Sequence, residues 1–202
     1  MEPAAASLAL TTPDGVALEA DLADAPDALA GAVLLHPHPR FGGNRLNAVV
    51  AALFRALPAV GITALRFDLR PGAGAERTTL VDERVDTVTA LDALAAHLPG
   101  ARLHLVGYSF GAAVALGVDH PAVTSRVVIA PPLTVMDVGT PPPMPTLVLV
   151  PAFDNFAPPA AVAPIVADWP DTTMEVIESA DHFMIGRAAA AADRAAAWLA
   201  VR

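Results

Sequence analysis

A serine framed by two glycines, Gly107-Tyr108-Ser109-Phe110-Gly111, is the stretch of this sequence with the clearest chemical meaning. It lies between an apolar run, RLHLV, that reads as a strand and a small-residue run, GAAVALGV, that reads as a helix. A sharp strand-to-helix turn strains the serine backbone and projects its hydroxyl. The flanking glycines give the turn room, and the following helix sets its N-terminal dipole beneath the oxygen. Ala112 and Ala113 keep the crossing close. Ser109 is therefore the candidate nucleophile for acyl transfer; read only as a tight turn with a capping serine, the same motif would carry no chemistry.

A serine needs a base, and the base an orienting acid; behind a nucleophile on a strand–turn–helix, the chain order is serine, acid, histidine. Two histidines follow Ser109, His120 and His182. His120 precedes Pro121 at the far end of the helix that starts at the serine, so it points away. His182, in Ser179-Ala180-Asp181-His182-Phe183, falls between a strand and the last helix, which is the place for a base. For the acid, Asp154 directly follows the strand TLVLV in Pro151-Ala152-Phe153-Asp154-Asn155 and emerges at the same sheet edge as Ser109. Asp137, in the preceding loop, is the alternative. Asp181 reads as a local hydrogen-bonding residue.

Positioning these groups requires alternating strands and helices. Residues 7–11 and 16–21 flank the turn Thr12-Pro13-Asp14-Gly15 and read as an antiparallel ribbon. Strands are expected over residues 31–35, 62–68, 102–108, 126–130, 146–150 and 172–177. Helices are expected over 47–60 with Asn47 as cap, from Val81 to Leu98, and over 110–118, 159–169 and 185–201. Within the second helix, Val81, Val85, Val88, Leu91, Ala95 and Leu98 set the apolar face. A glycine-rich loop covers residues 71–75, and prolines at 131–132 and 141–145 bracket a surface loop. Strands alternating with helices imply an α/β fold with parallel pairing and helices on both faces.

Composition narrows the classes. The 202 residues fit one domain with a full core, 1–202, and 54% hydrophobic against 16% charged residues rules out disorder as the main state. There is no cysteine, which excludes disulfides, thiol nucleophiles and thiolate metal sites. All 12 basic residues are arginine, so a Walker A loop and a lysine Schiff base are impossible. A net charge of -9 repels phosphate backbones and anionic membrane surfaces, so neither nucleic acid nor membrane is an expected partner. No apolar run reaches the roughly 18 residues of a membrane span, and the start, MEPAAASLAL, lacks the basic head of a secretory signal. A cytoplasmic protein is expected, with a homodimer left open.

His36 and His38 are two apart in an extended loop and could share a metal. No third ligand accompanies them, so His36 is instead expected to brace the loop by hydrogen bonds, with no metal and no cofactor. Of the 7 phenylalanines, Phe41, Phe110, Phe153, Phe156 and Phe183 neighbour a site motif. Phe41, Tyr108, Phe153, Phe156 and Phe183 are the expected lining of an apolar pocket.

The stretches LLHPHPRFGGNRLNAVV, LRFDLRPGAG, LVGYSFGAAVAL, APPL, PAFDNFAPP and ESADHFMIGR, running from about Gly31 to the C-terminus, resemble the alpha/beta-hydrolase superfamily. The likeness is to its small, lidless bacterial group with a His-Pro-His-Pro loop followed by Gly-Gly, related to dienelactone hydrolases and the catalytic domains of prolyl-type peptidases. It implies a twisted, mostly parallel sheet of about 7–8 strands without a cap domain. It also implies Ser109 as nucleophile, His182 as base and Asp154 as acid. Two loops depart from the group: its Gly-Asp before the acid is Pro151-Ala152 here, and its Arg-Gly-x-Gly is Arg70-Pro71-Gly72-Ala73-Gly74. An oxyanion hole takes two backbone N–H groups. One is expected from Phe110. The other must come from the loop after GAVLL, where Pro37 and Pro39 have none to give, which leaves His38. The expected activity is hydrolysis of small to medium acyl esters at an open site. An amidase or peptidase on the same fold, or a silent binding module, is the rival reading.

Overall fold

The computed structural model describes residues 3–73 and 80–202. Gly74 and Ala75 of the expected glycine-rich loop, and Met1 and Glu2 of the N-terminal stretch, lie outside the described residues. The chain runs β1 (Ala6–Thr11), β2 (Ala17–Ala23), β3 (Ala30–Leu35), α1 (Ala48–Ala56), β4 (Ile62–Phe67), α2 (Val81–His97), β5 (Arg102–Tyr108), α3 (Phe110–Leu116), β6 (Val123–Ile129), β7 (Thr146–Phe153), α4 (Pro159–Val166), β8 (Thr172–Asp181) and α5 (Ala188–Leu199). The strands form one eight-stranded sheet in the order β1-β2-β4-β3-β5-β6-β7-β8. β1 and β2 pair antiparallel, as does β2 with β4, and the remaining pairs are parallel. This is the expected mostly parallel architecture, opened by the expected ribbon.

Side-chain alternation along the strands builds two cores. Val33, Leu35, Leu103, Leu105, Val148 and Val150 face α2 and α3, while Ala32, Leu34, Val106, Leu147 and Leu149 face α1 and α5. These strands bear apolar residues on both sides, as a sheet covered on both faces requires. α1 starts at Asn47, whose side chain accepts from Val49 N, and it ends at Ala56, where Pro58 opens a short 3₁₀ turn; the helix is thus shorter than residues 47–60.

The apolar face expected for α2 is corrected in part. Leu91 is buried and Val88, Ala95 and Leu98 pack against the core as expected, but Val81 is exposed, and the fully buried side chains also include Glu83, Asp86, Thr87, Ala90 and Leu94. The cause is an ion pair that apolar spacing does not reveal. Asp86 is fully buried because its carboxylate accepts from the Arg70 backbone N–H at 2.9 Å and from the Arg70 guanidinium at 2.9 and 2.7 Å. About two turns beyond, Leu94 packs so closely on Gly31 of β3 that a Cβ there would lie 2.9 Å from it.

Between β6 and β7, where a cap would be inserted, the described residues form a proline-rich loop without helix or strand. Its anchor is Arg126, a fully buried side chain whose guanidinium donates to the carbonyls of Ala115 and Leu116 at the end of α3 and to that of Pro142. Burial pushes this guanidinium down to about 10.

Candidate active site

Parallel strands all end at one edge of the sheet, and the loops leaving β3, β5, β7 and β8 meet there. β5 stops at Tyr108 and α3 starts at Phe110, so Ser109 makes the whole turn. Its backbone lies at φ 53°, ψ -114°, a conformation that an L-residue adopts only under strain. Both glycines of the motif are steric necessities. A Cβ on Gly107 would lie 2.3 Å from the Gly111 carbonyl oxygen, and one on Gly111 would lie 2.6 Å from that of Leu35.

The half-buried Ser109 hydroxyl lies 2.9 Å from His182 Nε2, and His182 Nδ1 lies 2.7 Å from Asp154 Oδ2. The other Asp154 oxygen accepts the backbone N–H of Phe156 at 2.8 Å and of Ala157 at 3.0 Å. Burial works to raise the pKa of the Asp154 carboxyl. The His182 hydrogen bond and the two amide donors outweigh it and hold the group below its ordinary value. An ionised carboxylate can only accept, so His182 carries its proton on Nδ1 and offers Nε2 as acceptor for the serine O–H.

The histidine is held by its own loop. Met184 N donates to the Asp181 carbonyl at 3.0 Å and Ile185 N to the Asp181 side chain at 3.2 Å, the local role expected for Asp181. Tyr108 departs from expectation. Rather than lining a pocket it is buried, and its hydroxyl donates to the His182 carbonyl at 2.7 Å. Strand alternation turns its side chain into the α1–α5 core, beneath the histidine. Burial, aided by the negative charges of Asp181 and Asp154, pushes its phenol pKa well up, so it remains a donor.

The remaining candidates separate cleanly. His120 accepts from Ala122 N and faces Asp92 at 3.2 Å, away from the serine. Asp137 is exposed and closes a local turn onto Gly139 N at 2.9 Å. His36 is buried and braces as expected: Nδ1 donates to the Pro37 carbonyl at 2.7 Å and Nε2 accepts Leu69 N at 3.1 Å, joining the loops after β3 and β4. Burial lowers its pKa and keeps it neutral. Among the described residues no group of three His, Asp or Glu converges as a metal site.

The loop after β3 is shaped by contacts that the sequence reading missed. His38 caps a 3₁₀ turn, Pro39–Phe41; Gly42 closes it at φ 81°, and Gly43 packs against the Pro37 carbonyl where a Cβ would fall 1.9 Å away. Arg45 then ties the loop to the sheet: its N–H donates to Asp68 at 2.6 Å, and its guanidinium reaches Asp68, Asp21 at 3.3 Å and Glu19 at 3.0 Å. No sequence signal marks these partners, which come from two distant segments, β2 and the loop after β4. The His38 ring lies 4.8 Å from Phe110 and 5.1 Å from Phe41. On the opposite side, Phe156 lies 4.6 Å from the His182 ring and 6.3 Å from Phe183. Phe41, Phe156 and Phe183 are exposed at this edge, whereas the Phe110 side chain is buried. Phe153, exposed at the end of β7, joins none of these ring contacts among the described residues.

Comparison with known proteins agrees with this fold. Residues 32–202 match the model of the alpha/beta hydrolase family. A serine hydrolase without a lid from Xanthomonas campestris superposes with a TM-score of 0.84 at 28% identity, covering 98% of this chain and 94% of that one. A serine hydrolase homologue from Coxiella burnetii gives 0.83 at 25% identity, covering 96% and 97%. An uncharacterized protein of Rickettsia prowazekii is 38% identical over 108 residues, which are 50% of this chain and 45% of that protein, so the match spans under half its length. Among the described residues no helix is long and apolar enough to cross a membrane. With the family model matched from β3 to the C-terminus, the chain belongs to the alpha/beta hydrolase family.

Proposed function

We propose that this protein is a serine hydrolase acting on carboxylic esters with small to medium acyl groups. Ser109 is the nucleophile, His182 the base and Asp154 the orienting acid. The observation that carries the proposal is the continuous hydrogen-bonded chain from the strained Ser109 through His182 to Asp154, at 2.9 and 2.7 Å. As Ser109 Oγ bonds to the ester carbon, its proton passes to His182 Nε2, and the resulting imidazolium is stabilised by the ionised Asp154. The carbonyl electrons move onto oxygen, where the backbone N–H groups of Phe110 and His38 receive the charge; each such donor contributes about 3 kcal/mol. His182 then returns the proton to the leaving oxygen, the ester C–O bond breaks and the alcohol departs. Water, giving its proton to the same histidine, then bonds to the acyl carbon; the bond to Ser109 Oγ breaks, the histidine returns the proton to Oγ, and the acid departs. None of these steps calls on a metal or cofactor. The proline-rich loop between β6 and β7 supports an open site, so soluble esters are the expected substrates, with no rate jump at an oil–water interface.

A fluorophosphonate probe tests the reading. It should label the wild-type chain once and Ser109→Ala not at all. A phosphonate adduct in a crystal should place its oxygen within hydrogen-bond reach of Phe110 N and His38 N. Labelling that persists in Ser109→Ala would overturn the nucleophile assignment.

A further inference from the structure

The ester-hydrolase reading leaves open which half of the ester the protein recognises, and two of the exposed aromatic side chains bear on that. The site lies beneath the end of β5. In the sheet, β3 flanks β5 on one side, while β7 and β8 lie beyond β6 on the other. Phe41, which follows β3, therefore stands opposite Phe156 and Phe183, which follow β7 and β8.

The two sides are not equivalent chemically. The leaving oxygen must take its proton from His182 Nε2, so it has to come within hydrogen-bond reach of that nitrogen, about 3 Å. Whatever the oxygen carries begins beside the imidazole. Phe156 lies 4.6 Å from that ring and Phe183 5.7 Å, and the two phenylalanines meet edge to face at 6.3 Å and 85°. They form an aromatic corner of one face and one edge, the two surfaces between which a third ring packs well. Phe156 is 47% exposed and Phe183 63%, so the corner opens to solvent.

The corner is also held in place. The Phe156 N–H donates to Asp154 Oδ1 at 2.8 Å, and the Phe156 carbonyl accepts the hydroxyl of Thr134 from the proline-rich loop. Phe183 directly follows the histidine. A fixed aromatic wall favours a flat partner because little side-chain freedom is lost on binding. The net charge of -9 further disfavours an anionic one.

We infer that Phe156 and Phe183 form the subsite for the leaving alcohol, and that it selects neutral alcohols carrying an aromatic ring. The inference rests on the proposed ester hydrolysis. By microscopic reversibility the same corner receives an alcohol that attacks the acyl-enzyme in place of water.

Benzyl butyrate and methyl butyrate share an acyl group and hence an acyl-enzyme, so the ratio of their kcat/KM values reads the alcohol side alone. The ratio should favour the benzyl ester about tenfold in the wild type, the scale of one good apolar contact. It should collapse toward unity in Phe156→Ala and Phe183→Ala, survive in Phe156→Tyr, and stay within about twofold of wild type in Phe41→Ala. In the presence of both alcohols the wild-type acyl-enzyme should pass to benzyl alcohol in preference to methanol, and Phe156→Ala should lose that preference. Turnover of both esters with no benzyl preference, or with a preference that Phe156→Ala and Phe183→Ala leave intact, would overturn the subsite and spare the ester-hydrolase reading. A folded wild-type protein that cleaves neither ester overturns both.

Discussion

Two serine–histidine pairs of the same length occur among the described residues, and they differ in everything around them. Ser109 Oγ and His182 Nε2 lie 2.9 Å apart at the end of the sheet; Ser125 Oγ and His104 Nδ1 lie 2.9 Å apart inside it, on neighbouring strands β6 and β5. The second pair is closed to solvent, and no carboxylate touches its histidine: His104 Nε2 is buried with no hydrogen-bonding partner among the described residues. Burial, reinforced by the positive charges of Arg102 and Arg202, pushes His104 down to about 4, so it remains a neutral ring that fills the core. His182 meets an ionised acid on one nitrogen and a strained, half-buried serine on the other. Proximity of serine to histidine is thus common to both sites. What separates them is the third group, the backbone strain and the access.

Exchanging each serine tests that contrast most severely. Ser109→Ala should lower p-nitrophenyl acetate turnover about 10⁴-fold or more, because the triad acts as a unit. Ser125→Ala should leave turnover at 25 °C within about twofold while lowering the urea midpoint, since a buried ring nitrogen loses its partner at a cost of about 1–3 kcal/mol. A substantial loss of turnover in the folded Ser125 variant would break the comparison.

Removing the acid should make the first pair resemble the second. Asp154→Asn keeps the shape but can no longer fix the proton on Nδ1, and turnover should fall about 10³- to 10⁴-fold. Asp137→Asn should remain within about twofold, because that side chain only closes its own turn. If Asp137→Asn is the crippled variant, the acid has been misassigned.

The buried pair should appear instead in stability. The His104 pKa is lowered in the folded state, from 6.5 to about 4, so the unfolded chain binds a proton that the native state refuses. The contribution is fully present above about pH 6.5 and is lost as the pH falls from there toward about 4. At about 1.4 kcal/mol per unit this amounts to about 3 kcal/mol. Buried His36, also lowered, acts in the same direction. Urea unfolding of wild type at pH 7.5 and 4.5 should show the loss, and His104→Asn should flatten much of it. Equal slopes in the two proteins would show that His104 titrates normally.

The smallest effect sharpens the catalytic side. Tyr108→Phe removes the hydroxyl that holds the His182 carbonyl and should cost about 1 kcal/mol, a roughly fivefold fall in kcat with KM little changed. An unchanged kcat would mean that the Asp181 contacts suffice to place the histidine.

Ser109 was readable in the sequence because its signal is local: strand, strained turn and helix lie within a few residues, and the two glycines are required by contacts that the turn itself creates. Asn47 was readable as a cap for the same reason. His182 and Asp154 could be placed at the right edge of the sheet from strand order, although sequence alone left Asp137 open as the acid. The inward face of α2 was read only in part: Leu91, Val88, Ala95 and Leu98 turn inward as their spacing predicts, but Asp86 also enters the core on the strength of Arg70, a partner 16 positions away that apolar spacing cannot report. Tyr108 was read as pocket lining because it neighbours the serine in sequence; side-chain alternation sends it to the opposite side of the turn.

By itself, then, the sequence determined the strained serine turn, the order of strands and helices, and the chemistry excluded by the absence of cysteine and lysine, all properties of local backbone preference and composition. Only the tertiary structure decided that Asp154 rather than Asp137 meets His182, that Tyr108 and Arg45 brace the site, and that Ser125 with His104 is a core pair. Each of those outcomes depends on the order β2-β4-β3-β5-β6-β7-β8, which brings side chains from distant segments within 3 Å or so of one another, and hydrogen bonds act only at that range.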